Sequence, residues 1–300
     1  MAYVCAHLLV LTSSRLPYEK AMLQFDSVAS IRQYISSLGH SQSIALVPTM
    51  GALHEGHISL IETAKRENDI IVSSIFVNPV QFNNADDLAV YPRTLNEDLE
   101  KLEAAGCDIV FTPSVDEMYA ESPTIKLNFG ELETVMEGAF RPGHFNGVGI
   151  VVAKLFNIVQ PNRAYFGQKD LQQVAVVRRL IRDLSFPVEL VRCPTVRESD
   201  GLAMSSRNRN LTPTEREQAP SLFKALTLAY DLLTEGQSTS QAKAAVTGFF
   251  ASNPHFRLEY VEVVNADTLQ PVNEVLAPGQ TAICLAAHLG KVRLIDNLVF

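Results

Sequence analysis

Two histidines stand three residues apart around a glycine in the run Pro48-Thr-Met-Gly-Ala-Leu-His-Glu-Gly-His57. Ahead of them Ser43-Ile-Ala-Leu-Val-Pro48 is apolar and ends at a proline, which predicts a short buried strand. After them Ile58 to Asn68 carries an apolar side at Ile58, Leu60, Ile61 and Ala64, with Lys65 and Arg66 in its last turn, which predicts a helix. The histidines therefore fall between a strand end and a helix start. A helix N-terminus has unpaired N–H groups and about half a positive charge, so it is a seat for phosphate. His54 and His57 would set two imidazoles beside that seat, and Gly56 would let a ligand approach the backbone with no side chain in the way. The competing reading makes the histidines plain caps of the helix.

A second polar stretch lies far along the chain, in Arg197-Glu-Ser-Asp-Gly-Leu-Ala-Met-Ser-Ser-Arg-Asn208. Two hydroxyls and a guanidinium side by side can close on phosphate oxygens, the arginine giving charge and a planar donor fork and the serines neutral donors. Taken alone it also reads as an ordinary linker.

The elements that must position these residues are legible from periodicity. Strands are predicted at Ile70–Val77, Ile109–Phe111, Ala164–Phe166 and Val188–Val191, and helices at Asn96–Ala105, stopped by Gly106, at Val148–Val159, stopped before Pro161, and at Leu171–Leu184. Strand and helix alternating at this pitch imply an α/β fold, a Rossmann-like doubly wound parallel sheet with helices on both faces. After about Thr195 the texture changes. Thr212-Pro-Thr-Glu215 is a capping box that opens a long helix running to about Leu233, a shorter helix covers Gln241–Phe250, and strands follow at Leu258–Val264, Thr281–Ala287 and Val292–Ile295. This predicts a smaller C-terminal α+β domain over 196–300, beside a main domain over 22–195 and an N-terminal extension over 1–21.

The chain has 300 residues and a net charge of −8, from 25 basic and 33 acidic side chains. Such a balance argues against nucleic acid as a partner, because that binding rests on neutralising phosphates with Lys and Arg. It leaves room for a small anion in a local site. Cys5, Cys107, Cys193 and Cys284 are far apart, with no C-x-x-C pair, which predicts reduced thiols in a cytoplasmic protein. No apolar run reaches the roughly 18–20 residues a bilayer span needs, and Ala6–Leu11 lacks the flanks of a signal peptide.

Six motifs, in order, are similar to those of the pantothenate synthetase (pantoate–β-alanine ligase) family, within the H-x-G-H nucleotidyltransferase-like Rossmann folds. They are Pro48–His57, Phe76-Val-Asn-Pro-Val-Gln-Phe82, Tyr91-Pro-Arg-Thr94, Arg141-Pro-Gly-His-Phe145, Tyr165-Phe-Gly-Gln-Lys-Asp170 and Gly201-Leu-Ala-Met-Ser-Ser-Arg-Asn208. The resemblance runs from about Met22 to Phe300. It implies that ATP and (R)-pantoate form a pantoyl adenylate and pyrophosphate, and that β-alanine then displaces AMP to give pantothenate. By the same resemblance Met50, Gly51, Ala52, Leu53, His54, Glu55, Gly56 and His57 form one ATP-binding stretch, with His57 at the position of the family's proton donor. Gly167, Gln168, Lys169 and Asp170 form another, Lys169 meeting phosphate and Asp170 the ribose hydroxyls, unless Asp170 only caps a helix. Val196 lies where the backbone contacts adenine, and Met204, Ser205, Ser206 and Arg207 close over the triphosphate.

The resemblance also implies that Gln81 and Gln173 bind pantoate, with Gln81 near β-alanine as well. Asn78 shapes the same pocket. His57, His54, Lys169 and Arg207 are the expected catalytic set, with the histidines stabilising charge as pyrophosphate leaves. Magnesium is expected with the triphosphate. Glu97 and Asp98 fall where the family has acidic residues near the metal, although Thr94-Leu-Asn-Glu97 also spells a capping box and Lys101 departs from the neutral polar residue expected there. Arg141–His144 is expected to be a mobile loop over the pocket, and a homodimer is expected. Two rival readings remain: a nucleotidyltransferase that leaves AMP on its product, disfavoured by Gln81 with Gln173, and a non-catalytic nucleotide-binding protein, disfavoured because His54, His57, Lys169 and Arg207 are all present.

Overall fold

A computed structural model describes residues 21–39, 41–83 and 85–300, without the side chains of residues 85 and 86. Almost all of the extension assigned to 1–21, and Cys5 with it, lies outside the described residues. Six strands, β1 (Leu23–Phe25), β2 (Ile44–Thr49), β3 (Ile70–Ile75), β4 (Ile109–Phe111), β5 (Arg163–Gly167) and β6 (Glu189–Cys193), form one all-parallel sheet in the order β1-β4-β3-β2-β5-β6. From β2 the chain winds outward through β3 to β4, then returns to β5 and continues to β6 on the other side. The order reverses between β2 and β5, the place where such sheets open a crevice at their C-terminal ends.

The sheet is buried on both faces because its strands alternate two apolar sets. Ala45, Val47, Ile71 and Val110 pack with Leu60, Ile61 and Ala64 of α2 (Glu55–Glu67) and with Leu102. Leu46, Val72, Ile109 and Phe111 point the other way, into a core with Ile31 and Ile35 and with Val152, Phe156 and Val159. Leu102 belongs to α4 (Leu95–Ala105), Ile31 and Ile35 to α1 (Val28–Ser37), and the last three to α7 (His144–Val159). Between them lie the short helices α3 (Ala85–Val90), α5 (Val115–Met118) and α6 (Met136–Phe140), and α8 (Leu171–Asp183) links β5 to β6. β1, only three residues long, and α1 are elements that periodicity did not reveal.

The C-terminal part holds α9 (Pro213–Gln218), α10 (Ser221–Thr234), α11 (Thr239–Ala251) and the antiparallel strands β7 (Phe256–Asn265), β8 (Thr281–Leu289) and β9 (Val292–Val299), ordered β7-β8-β9. The single long helix expected after Thr212 is in fact two. The capping box of Thr212 and Glu215 forms, but the segment breaks at Ala219-Pro220, since Pro220 has no N–H to continue the helical ladder. One face of the small sheet packs on α10 and α11 through Val261, Val263, Ile283, Leu285 and Ala287. Val264, Ala282 and Cys284 on the other face join the large core. Cys107, Cys193 and Cys284 are free, buried thiols. No helix among the described residues is long and apolar enough to cross a membrane.

Arg141–His144 is part turn and part helix. Residues 141–143 form a turn after α6, and α7 begins at the buried His144, after Gly143 in the left-handed conformation. Gly147 and Gly149 in the first turns of α7 serve close packing. A Cβ on Gly147 would lie 2.5 Å from the Val80 carbonyl oxygen and 2.6 Å from the Gln81 nitrogen, so only glycine lets the turn that carries Gln81 lie on α7.

Candidate active site

A cavity of about 210 Å³ opens at the C-terminal ends of β2 and β5. Met50, Gly56, His54, His57, Asn78, Gln81, Gly167, Lys169, Asp170, Gln173, Val196 and Met204 to Arg207 all line it, so residues from four of the six motifs meet on one wall or another. The other two motifs contribute Tyr91, and Arg141 with His144.

The H-x-G-H turn is built differently from a bare helix start. His54 is the N-cap of α2 and His57 the third helical residue, and the two rings form a reciprocal capping box. The Gly56 N–H donates to His54 Nδ1 at 3.1 Å, and the His54 N–H donates to His57 Nδ1 at 3.3 Å. A backbone N–H can only donate, so each Nδ1 is an acceptor and each neutral ring carries its proton on Nε2. Capping and ligand binding are therefore not rivals: one ring nitrogen caps and the other remains a donor. Gly56 is required because a Cβ there would lie 2.9 Å from the His54 ring. Burial, the neighbouring ring and Lys169 lower the His54 pKa to about 3, and burial followed by Lys169 and Lys101 lowers that of His57 to about 4. Both rings are neutral at pH 7 in the free site.

Gln81 is held by its neighbours. Asn78 Nδ2 donates to Gln81 Oε1 at 3.0 Å and to the Gly147 carbonyl at 3.1 Å, while Asn78 Oδ1 accepts from the Tyr119 hydroxyl at 2.9 Å. This points the Gln81 amide N–H groups toward Met50, 3.1 Å from its sulfur, on the cavity side. His144 Nδ1 is 2.8 Å from the Gln81 carbonyl oxygen, so it donates there, and Nε2 accepts from Arg141 at 3.2 Å. Burial and the Arg141 charge keep that imidazole neutral, with a pKa of about 4.

Asp170 makes no side-chain cap bond to α8, so its half-exposed carboxylate faces the cavity uncommitted to the helix. The peptide groups beneath Lys169 are fixed from β9: Asn297 Nδ2 donates at 2.9 Å to the carbonyls of both Gln168 and Lys169. Asn297 is in turn set by Asp296, which pairs with Arg197 at 2.6 and 3.0 Å. Ser206 Oγ donates to the Ala52 carbonyl at 3.0 Å, so the serine loop already rests on the H-x-G-H turn. Arg207 reaches Asp87 at 3.0 Å.

Five of the residues expected in the ATP stretches do not line this cavity. Gly51, Ala52 and Leu53 are the buried floor of the turn, Glu55 faces an outer groove with Arg209, and Gln168 turns toward Asn297. Glu97 and Asp98, expected near magnesium, have other partners here. Asp98 is fully buried and spends both oxygens on the N–H groups of Ala52 and Leu53, at 2.9 and 2.7 Å. Glu97 is exposed, 4.0 Å from Arg209, and no group of His, Cys, Asp and Glu able to hold a metal occurs among the described residues. The residues present do not fit a resident magnesium ion. The alternative capping box at Thr94 does not form either, because the Thr94 hydroxyl donates to Asp98 at 3.2 Å instead of capping the helix.

Sequence reasoning passed over the supports: Tyr119, Glu137, Arg293, Asp296 and Asn297. Burial pushes the Glu137 carboxyl up, but two bonds from Arg293 and the nearby Arg141 hold it down at about 2. None of these lies in a chemically suggestive run. Two cavity hydroxyls without a protein partner, Ser74 Oγ and Thr195 Oγ1, were missed as well.

A doubly wound sheet with an H-x-G-H turn at its switch point defines a nucleotide-binding α/β enzyme. Over residues 24–299 the sequence matches the profile of the pantoate-beta-alanine ligase family. It is 46% identical to the pantothenate synthetase of Cytophaga hutchinsonii, over 93% of this chain and 99% of that one. Its fold superposes on the pantothenate synthetase of Thermus thermophilus with a TM-score of 0.87, at 46% identity, covering 93% of this chain and 99% of the other. It is also similar to a pantoate-beta-alanine ligase from Francisella tularensis solved with β,γ-ATP and β-alanine, with a TM-score of 0.78 at 37% identity, covering 93% and 98%. The chain belongs to the pantoate–β-alanine ligase family, and its activity is that of a ligase that makes pantothenate.

Proposed function

We propose that the chain makes pantothenate in two steps within this one cavity, through a pantoyl adenylate. ATP and β-alanine are its substrates beside pantoate, as the Francisella complex suggests. A carboxylate is a poor acyl donor, and transfer of AMP turns it into a mixed anhydride with a good leaving group. In the first step a pantoate carboxylate oxygen attacks the α-phosphorus, and the bond to the β-phosphate breaks, releasing pyrophosphate. In the second the β-alanine amine attacks the acyl carbon, AMP leaves with the C–O electrons, and the amine proton passes to solvent.

The observation that carries this reading is the pair of Nε2–H donors of His54 and His57 on the same cavity as Lys169, Gln81 and Gln173. His54, His57 and Lys169 bear the charge that builds on the departing pyrophosphate, acting on a developing charge where preorganised donors are most effective. Arg207 joins them once it exchanges Asp87 for phosphate. Gln81 and Gln173 orient pantoate, and the carboxylate of Asp170 accepts from the ribose. The main unit, 22–195, supplies all of these groups except Arg207, which comes from the unit 196–300 together with Val196 and the serines of the same loop. We read the enzyme as a cytoplasmic homodimer, on the family resemblance.

The test is direct. ATP with pantoate alone is expected to release pyrophosphate in a burst of about one equivalent, with AMP appearing only when β-alanine is added. AMP formed at an equal rate without pantoate would remove the two-step reading.

A further inference from the structure

α4 grips the H-x-G-H turn from behind with two residues one helical turn apart. Asp98 Oδ2 accepts the Ala52 N–H at 2.9 Å and Oδ1 accepts the Leu53 N–H at 2.7 Å, while Lys101 Nζ donates to the Leu53 carbonyl at 2.8 Å. Ala52 and Leu53 are fully buried, so without the carboxylate both N–H groups would be left unpaired away from water. The turn needs holding. Gly51 and Ala52 are both left-handed, at φ 80° and 51°, and an alanine resists that conformation because its Cβ crowds the following carbonyl. A Cβ on Gly51 would come within 3.1 Å of Asp98 Oδ2, so the carboxylate seats against a bare glycine. The next residue is His54, whose ring direction follows from this backbone.

We propose that Asp98 and Lys101 are positioning residues that clamp the Ala52–Leu53 peptides, and through them His54 and His57, and that Asp98 anchors the turn instead of binding magnesium. This rests on the reading of that turn as the phosphate-binding element. The donor set supports the anchor role. The Asp98 carboxylate takes two backbone N–H groups and the Thr94 hydroxyl, so its lone pairs are already directed at protein donors. Glu97, the other half of an acidic pair, points away toward Arg209.

The experiment compares the full-length protein with Asp98→Asn, Lys101→Met and Asp98→Asn/Ala52→Gly, measuring pyrophosphate release from ATP and pantoate across a MgCl2 titration. Asp98→Asn is expected to slow that step about 100-fold, the effect of misplacing reacting groups by about 1 Å. Lys101→Met, which keeps the stem and loses one donor, should slow it about tenfold. Half-maximal MgCl2 should stay at the wild-type value for both. Glycine at position 52 should recover about tenfold of the Asp98→Asn loss, because it adopts the left-handed turn without the clamp. An Asp98→Asn rate that returns to wild type at high MgCl2, or that never falls, overturns the proposal.

Amide exchange in the unliganded protein gives a readout free of the reaction. Ala52 and Leu53 should exchange at least about tenfold faster in Lys101→Met, a variant that keeps the carboxylate and so the fold. Unchanged exchange overturns the clamp whether or not the adenylate mechanism holds. A wild-type protein that releases no pyrophosphate from ATP and pantoate, yet shows the exchange difference, would instead remove the two-step reading.

Discussion

The parallel sheet and the antiparallel sheet contribute to the cavity in opposite ways. The C-terminal ends of β2 and β5 and the segments after them bring histidine, lysine and glutamine side chains to its surface, whereas no described residue of β7, β8 or β9 lines it. The antiparallel sheet acts from behind. Asn297 fixes the carbonyls under Lys169, Asp296 pairs with Arg197, and Arg293 binds Glu137 beside Arg141. One region lines the cavity and the other decides where the lining groups sit. The chemistry of this enzyme is therefore local in sequence, while its geometry is long-range.

That division can be broken from either side. On the facing side, His57→Ala should slow pyrophosphate release about 1000-fold, the loss of a donor aimed at developing charge. His57→Gln should stay within about tenfold of wild type, because an amide N–H replaces a neutral donor. On the supporting side, Asn297→Ala should slow the same step about 30-fold through displacement of Lys169, leaving half-maximal pantoate nearly unchanged. Asp296→Asn should leave Arg197 without its charge partner and lower stability by about 3 kcal/mol in denaturant unfolding. Equal effects of His57→Ala and Asn297→Ala on rate, pantoate affinity and stability alike would erase the distinction.

Gly147→Ala sharpens it within the facing side. The added methyl meets the Val80 and Gln81 backbone, so the Gln81 turn must move. KM for pantoate and β-alanine should rise about tenfold while KM for ATP holds, which steady-state kinetics on each substrate will show.

The sequence exposed the two regions unequally, and for a physical reason. The H-x-G-H turn was legible because its strand, its glycine and its capping rings are contiguous. Gly167–Asp170 and Met204–Arg207 stood out only through the family resemblance, because neither stretch by itself differs from a helix start or a polar linker. The contacts of Asp98 were not legible because its partners lie 45 and 46 residues away, and an acidic pair beside a capping threonine looks the same whether it binds a metal or two backbone amides. The start of α7 was missed because Gly147 and Gly149 are selected by what packs on them, Gln81 and Phe129, which periodicity does not record. The parallel sheet itself followed from the alternation of buried strands and amphipathic helices. Pro220, by contrast, stood in plain view, and the single helix expected after Thr212 ran through it although a proline has no N–H for the ladder.

A smaller effect tests the electrostatics of the facing wall. His54, His57 and His144 have folded pKa values of about 3, 4 and 4, against 6.5 for the free side chain. As pH falls below about 6.5 the unfolded chain takes up protons that the fold refuses, so stability must fall with acid from pH 6.5 toward 4 and be flat above. Chemical denaturation at stepped pH should show this slope, and His144→Gln should reduce it. The smallest effect belongs to Asp87, which occupies Arg207. Asp87→Asn should lower KM for ATP by a factor of about two to three, the modest worth of a partly exposed ion pair.

The central claim is that His54 and His57 meet the phosphates as neutral Nε2–H donors, each held in that tautomer by a backbone N–H on its other nitrogen. Pre-steady-state pyrophosphate release, followed from pH 7 to 8.5 at saturating ATP and pantoate, tests it most directly. A rate that stays level across that range is the predicted result. A rate that falls about tenfold with each pH unit would mean that an imidazolium is required, and would contradict the account.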